Sequence, residues 1–132
     1  TYAENYFEGC AGELVIRGGH DCIVRSNTFI NGGAIRVSGT GHIIQNNTVI
    51  GAKTGLRLMA GMVGGRHDTG FYVAAGDCVA TGNQFEACET GILVGADLGR
   101  DWTGKFDVNR YPSPTIQNVA PFNLHLADNR FV

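Results

Sequence analysis

Short apolar runs of three to five residues alternate along the chain with Gly, Asn, Asp and Ser. No window carries apolar residues at the 3.6-residue spacing of an amphipathic helix. Apolar runs of this length, bounded by turn-forming residues, are typical of β-strands. The pattern therefore predicts an all-β protein.

An Asn-x-Phe/Val motif gives the strand pattern a period. The first two intervals between motifs are 22 and 20 residues, and the later two are longer by what we interpret as insertions at about residues 60–69 and 96–120. Two further short β-rich runs precede each full motif. The motifs begin at Asn5, Asn27, Asn47, Asn83 and Asn129.

A period of 20 to 22 residues with several short strands per period indicates a parallel β-helix. We expect one such domain over residues 1–132, with about four to five coils and two inserted loops. Equivalent residues of successive coils lie about 4.8 Å apart, so the Asn side chains should form a ladder and the Phe and Val side chains an internal stack. Leucine-rich repeats have a similar period, but the Leu and Asn spacing that they require is absent from this sequence. A β-sandwich is the alternative, but it does not explain Asn at one register.

The composition and charge of the chain exclude several classes of protein. With 43% hydrophobic and 17% charged residues the chain is not a disordered segment, and no apolar run approaches the length of a membrane span. A net charge of −2 provides no overall field that would attract nucleic acid. The four cysteines lack CxxC spacing, which favours small core thiols over a zinc site. Because the chain starts at Thr1 without Met, we expect a trimmed or excised piece.

Strand alternation places three arginines on the outside of the coil. Arg17, Arg36 and Arg57 each lie between residues that should point inward, and their spacings of 19 and 21 match one coil each. The sequence thus predicts a column of arginines, which suits a polymer bearing carboxylates or sulfates. The alternative is that they are solvated surface residues paired with Glu13 or a nearby Asp.

Histidines at the turn between two strand runs are candidates for chemistry. His20 and His42 are one coil apart and could either donate a proton to a bound polymer or stabilise the turn. No Ser-His-Asp arrangement, metalloprotease helix or phosphate loop is present in the sequence.

Three segments, residues 1–62, 71–88 and 121–132, cover most of the chain and resemble polysaccharide lyase family 6, the alginate lyases and chondroitinase B-type enzymes. The resemblance implies a right-handed parallel β-helix that cleaves uronic-acid polysaccharides by β-elimination, with alginate the first substrate to test. The first matching segment is Leu14-Val15-Ile16-Arg17-Gly18-Gly19, similar to the family's Leu-Thr-Leu-Arg-His-Gly strand. The second is Ala34-Ile35-Arg36-Val37 with Gly41-His42 and Asn46-Asn47, similar to its Gly-Ile-Arg rung. The third is Asn83-Gln84-Phe85-Glu86-Ala87-Cys88, similar to its Asn-Thr-Phe-x-x-Cys motif.

The resemblance also implies roles for individual residues. It makes Arg17 catalytic and Arg36 a substrate contact, and we add Arg57, His42 and Glu13 as candidate substrate-binding residues. Members of the family use a catalytic Lys and often a calcium ion held by Glu residues.

The chain departs from the family at the catalytic Lys. Lys53 and Lys105 are at the wrong registers, so we expect the Lys and the calcium ligands in a rung before residue 1, and no cofactor within this chain. Gly18 also stands where the family has His. The resemblance is thus to a partial lyase.

Two other functions stay open: a non-catalytic carbohydrate-binding or structural β-helix fragment, and a uronate epimerase-type β-helix. The expected partner is an anionic polysaccharide, with neither nucleic acid nor a membrane. Exposed coil ends would allow end-to-end association of copies. Such substrates lie outside the cell or in the periplasm, where we expect the protein.

Overall fold

The computed structural model describes residues 1–63, 74–96 and 117–132. In these residues short parallel strands stack from coil to coil into three sheets. Sheet A contains β1 (Tyr2–Ala3), β4 (Ile23–Arg25), β7 (Ile43–Gln45), β11 (Val79–Thr81) and β15 (His125–Ala127). Sheet B contains β2 (Tyr6–Glu8), β5 (Thr28–Ile30), β8 (Thr48–Ile50), β12 (Gln84–Glu86) and β16 (Arg130–Phe131). Sheet C contains β3 (Leu14–His20), β6 (Ile35–Thr40), β9 (Thr54–Met59) and β13 (Thr90–Ala96).

This arrangement is a parallel β-helix, and the predicted fold class is confirmed. Across the described residues, four coils contribute a strand to every sheet, and a fifth contributes β15 and β16. No helix long and apolar enough to cross a membrane occurs in this part of the chain.

The two predicted insertions meet at their described ends. After β9 the chain forms β10 (Gly61–Val63), which pairs antiparallel with β14 (Gln117–Val119). Gly61 lies opposite Val119 in this ladder. Both segments therefore leave the parallel coil, as expected of insertions. Residues 64–73 and 97–116, which hold the rest of both insertions, lie outside the described residues.

Aromatic and aliphatic side chains stack in register inside the coil, as predicted from the repeat. Phe7, Phe29, Val49, Phe85 and Phe131 follow one another through sheet B. The Phe7 and Phe29 rings stack at a centroid distance of 4.8 Å, and those of Phe85 and Phe131 at 5.5 Å. Burial of Phe29, Val49 and Phe85 in this column, with the neighbouring apolar residues of sheets A and C, supplies the hydrophobic stabilisation of the fold.

The predicted asparagine ladder lies at the bend between sheets A and B. Side-chain amides bond from coil to coil at 2.9 to 3.0 Å along Asn5, Asn27, Asn47, Asn83 and Asn129. A residue with positive φ precedes each of them, such as Ser26 at 55° and Gly82 at 64°. These left-handed residues make the sharp bend, and the ladder satisfies the polar groups that the bend buries.

Candidate functional site

Strands β6 and β9 bring two arginines side by side on the outer face of sheet C. Arg36 lies between Ile35 and Val37, both fully buried, and its side chain is 37% exposed. Arg57 is 33% exposed and lies directly beside Arg36 in the strand register. Like charges on adjacent strands repel, so this pair requires a neutralising partner.

Arg17 does not continue this column, and the predicted row of three arginines is wrong at this residue. The register of β3 with β6 aligns Val15 with Arg36 and aligns Arg17 with Ser38. A coil measured through sheet C is 21 residues long, so the spacing of 19 displaces Arg17 by two residues, about 7 Å along the strand. Arg17 is exposed, and strand alternation keeps it on the face that carries Arg36.

One carboxylate contacts both arginines of the pair. Glu13, whose side chain is 18% exposed, places Oε1 2.8 Å from Arg57 Nε and Oε2 3.6 Å from Arg36 Nε. The buried Arg57 N–H is not aimed at that oxygen and makes no hydrogen bond within the described residues, so the contact is ionic. The interpretation of paired surface arginines is thus correct for Arg36 and Arg57. Because Glu13 carries one charge against two, a net positive charge remains.

We expect Glu13→Gln to lower the free energy of unfolding by up to about 1 kcal/mol, because Arg36 and Arg57 then repel without a counter-charge. The loss should shrink at high salt, which screens charges on a partly exposed surface. Urea unfolding at low and high ionic strength measures it. The control is Glu89→Gln, an exposed carboxylate. A loss that salt does not change would show that Glu13 acts through packing instead.

A groove of about 510 Å³ opens between sheets B and C beside this ion cluster. Its polar lining includes Glu13, Asn31, Lys53, Thr54 and Arg57. Lys53 is at the wrong register for the family's base, yet it lines the same groove as Glu13 and Arg57. The signal that could have identified it was its position four residues before Arg57, at the entrance of the same strand. The exposed Cys10 also lines the groove, so the expectation of a buried thiol is wrong for this residue.

His42 is inside the coil, where it cannot contact a polymer directly. Its side chain is 0% exposed. Nδ1 accepts the Cys22 backbone N–H at 3.1 Å, which leaves Nε2 to donate to the Ser38 carbonyl, also at 3.1 Å. These contacts contradict the substrate-binding role predicted for His42 and match the alternative, a residue that stabilises the turn.

Burial of His42 makes the fold sensitive to acid. Desolvation lowers the pKa of His42 below its ordinary value of 6.5, against the raising effects of the Ser38 carbonyl and Asp21. At a pH above the ordinary value of 6.5, the ring is neutral in both the folded and the unfolded chain. Below it, the unfolded chain binds a proton that the folded chain does not. The free energy of unfolding should therefore fall by up to about 1.4 kcal/mol per pH unit until the pH reaches the folded pKa.

Urea unfolding at about pH 7.5 and about pH 5.5 checks this expectation. His42→Gln, which can replace both hydrogen bonds without titrating, should be less stable than the wild type but lose most of its pH dependence. His20→Gln removes an exposed ring and should retain it. Equal pH dependence in wild type and His42→Gln would contradict the assignment.

His20 occupies the end of the strand that carries Arg17. Its Nδ1 lies 2.8 Å from Asp21 Oδ2, and both side chains are more than three-quarters exposed, at 78% and 77%. When Nδ1 donates to this carboxylate, the exposed Nε2 is the basic nitrogen. The pairing register of β3 shifts between Arg17 and His20, and Gly18 there has a φ of +119°. An L side chain rarely adopts this φ, so the family's His would be strained at position 18.

The described residues do not fit the calcium site that the family implies. They contain no group of three or more His, Cys, Asp or Glu placed to hold a metal ion. Glu13 faces arginines with both oxygens, and a lone carboxylate is a poor calcium site. Calcium binding therefore stays an implication of the resemblance.

Comparison with known families adds one finding. A sequence profile of the family described as Chondroitinase B matches residues 1–132, including both insertions that the resemblance covered poorly. Neither the curated proteins nor the solved structures contain a match to the chain. The family match and the parallel β-helix agree with the resemblance inferred from Arg17, Arg36 and their strands. The chain therefore belongs to the chondroitinase B family of polysaccharide lyase-like β-helix proteins.

Proposed function

We propose that this chain binds uronic-acid polysaccharide across the outer face of sheet C and takes part in its cleavage by β-elimination. The observation that carries the proposal is the arginine pair sharing one carboxylate, which leaves positive charge on an exposed sheet face. Guanidinium groups bind carboxylates and sulfates through charge-assisted hydrogen bonds. Such substrates place the protein outside the cell or in the periplasm.

The chemistry of β-elimination sets what the site must supply. A base removes the proton from C5 of the uronate, a C4–C5 double bond forms, and the C4–O4 bond breaks as O4 takes up a proton. Negative charge develops on the C5 carboxylate, and a cation placed there stabilises it. We assign this role to Arg17 and assign binding of neighbouring acidic groups to Arg36 and Arg57.

For proton transfer we assign His20. It lies on β3 with Arg17, and Asp21 can hold its Nδ1–H so that Nε2 faces solvent. Nε2 of the neutral ring takes the C5 proton, and the resulting imidazolium returns it to O4, so that the step balances without another acid. Histidine is the side chain most often used as both general base and general acid near neutral pH.

Non-catalytic binding is the second candidate. It is favoured by the distance of Lys53 from Arg17 in the strand register, which separates the lysine of this face from the arginine assigned to the reacting carboxylate. A protein of this kind would keep the arginine face and bind polymer without turnover.

The test incubates the chain with alginate, dermatan sulfate and chondroitin, with and without added calcium. Ultraviolet absorbance of unsaturated uronide reports cleavage, and affinity electrophoresis in gels containing each polymer reports binding. Rising absorbance supports the lyase, and salt-sensitive binding without absorbance supports the second candidate. Altered uronate composition without chain cleavage would indicate an epimerase. Neither binding nor cleavage with any polymer would contradict both proposals.

A further inference from the structure

The groove between sheets B and C is lined by a lysine, Lys53, that no described carboxylate neutralises. Lys53 lies in the turn between β8 and β9, is exposed, and forms no ion pair with any residue the structure describes. The acidic residue nearest in register is Glu89 on the next coil, whose neighbour Thr90 donates its N–H to the Lys53 carbonyl at 3.0 Å. Glu13, the carboxylate that lines the groove, is already held by Arg36 and Arg57.

We propose that this groove binds a second acidic sugar of the polymer, with Lys53 supplying its counter-charge. The inference rests on the proposed function and adds a subsite to it. A volume of about 510 Å³ falls within the usual range of small-ligand sites. Thr54 and Asn31 line the same groove and offer a hydroxyl and an amide to sugar hydroxyl groups.

The positions of the cations indicate the direction in which the polymer crosses the sheet. Lys53 precedes Arg57 by four residues, about 13 Å along an extended strand, and Arg17 lies about 7 Å beyond the arginine pair on the other side. Lys53 and Arg17 are two coils apart, only about 10 Å along the coil axis. The cations therefore form a diagonal band that runs mainly along the strands, with the groove at its end. A polymer on this band meets Arg17, the arginine pair and Lys53 in turn.

The groove can be blocked without disturbing the backbone. Gly12 lines it, and a Cβ added to Gly12 would meet no atom within 4 Å. Its φ is outside the left-handed region, so a larger side chain at this position is not strained. In contrast, a Cβ on Gly33, also in the lining, would clash with the Gly12 carbonyl oxygen. Gly12→Leu is therefore a suitable way to fill the groove while keeping every charge.

Calorimetric titration with defined oligosaccharides of increasing length tests the subsite. Lys53→Met should weaken binding of the longer oligosaccharides roughly five- to tenfold and leave the shortest unchanged, since only a chain that extends past Arg57 reaches the groove. Gly12→Leu should have the same length-dependent effect. Alginate oligosaccharides carry carboxylates alone and dermatan sulfate oligosaccharides also carry sulfates, so the two series distinguish which acidic group occupies the groove.

Arg25→Met is the matched control, because it removes a cation from sheet A, where Arg25 pairs with Glu4. Circular dichroism confirms that each variant folds. If Lys53→Met and Gly12→Leu bind every oligosaccharide as the wild type does while Arg36→Met binds weakly, the subsite is wrong and the proposed function stands. If the wild type binds no oligosaccharide of either series, the proposed function fails and the subsite with it.

Discussion

Replacing Arg17 with alanine should lower the rate of uronide formation by about 10²- to 10³-fold, the usual effect of removing one donor that stabilises developing negative charge. Arg17 is exposed on β3, about 7 Å along the strand from the arginine pair and on the strand that ends in His20. Steady-state kinetics on the most active polymer measures the effect. We expect the loss mainly in kcat, because the charge on the carboxylate develops during proton removal.

The matched control for this prediction is Arg25→Ala, which removes an exposed arginine from sheet A. Its kinetics should equal those of the wild type. If Arg17→Ala raised KM and left kcat unchanged, Arg17 would be a binding residue that acts equally on ground and transition state. An unchanged kcat/KM would remove Arg17 from the site altogether.

Replacing Asn47 with alanine should destabilise the fold by at least about 3 kcal/mol, because each buried polar group left without a partner costs about 1 to 3 kcal/mol. Asn47 is 1% exposed. Its Nδ2 donates to Asn83 Oδ1 and to the Val24 carbonyl, both at 2.9 Å, and its Oδ1 accepts two N–H groups of Asn27 at 3.0 Å. Alanine breaks the ladder on both sides.

Urea unfolding measures this loss. Gln45→Ala, an exposed substitution in the adjacent strand β7, is the control and should stay within about 0.5 kcal/mol of the wild type. A loss below about 1 kcal/mol for Asn47→Ala would mean that water or neighbouring groups replace the missing bonds. In that case the ladder would be a consequence of the coil and would contribute little to its stability.

The coil was predictable because the residues that face its interior recur in the sequence at the period of one coil. Asn27 and Asn47 recur at one bend, and Phe29 and Val49 recur two residues later. Stacking identical or similar side chains from coil to coil satisfies buried amides and apolar surface together, so the sequence must repeat wherever the coil repeats. Both stacks appear in the structure at the predicted register.

The outer face was less predictable because nothing buried constrains it. Spacing alone aligned Arg17 with Arg36, but the pairing of β3 with β6 places Val15 beside Arg36. The coil length depends on the turns as well as on the strands, and the two-residue difference was invisible without strand pairing. The substrate-binding role predicted for His42 is wrong for a related reason. A polar residue at a turn can point inward when backbone groups, here the Cys22 N–H and the Ser38 carbonyl, form hydrogen bonds with its ring.

By itself the sequence determined that this protein is a parallel β-helix of the chondroitinase B family, because the repeat and the Arg-bearing strands are properties of the chain order. Only the tertiary structure decided which charges meet. It brought Glu13 between Arg36 and Arg57 from three different coils, buried His42, and opened the groove that Lys53 lines. Contacts between coils join residues about 20 or 40 positions apart, and their geometry depends on strand register, which local sequence does not specify.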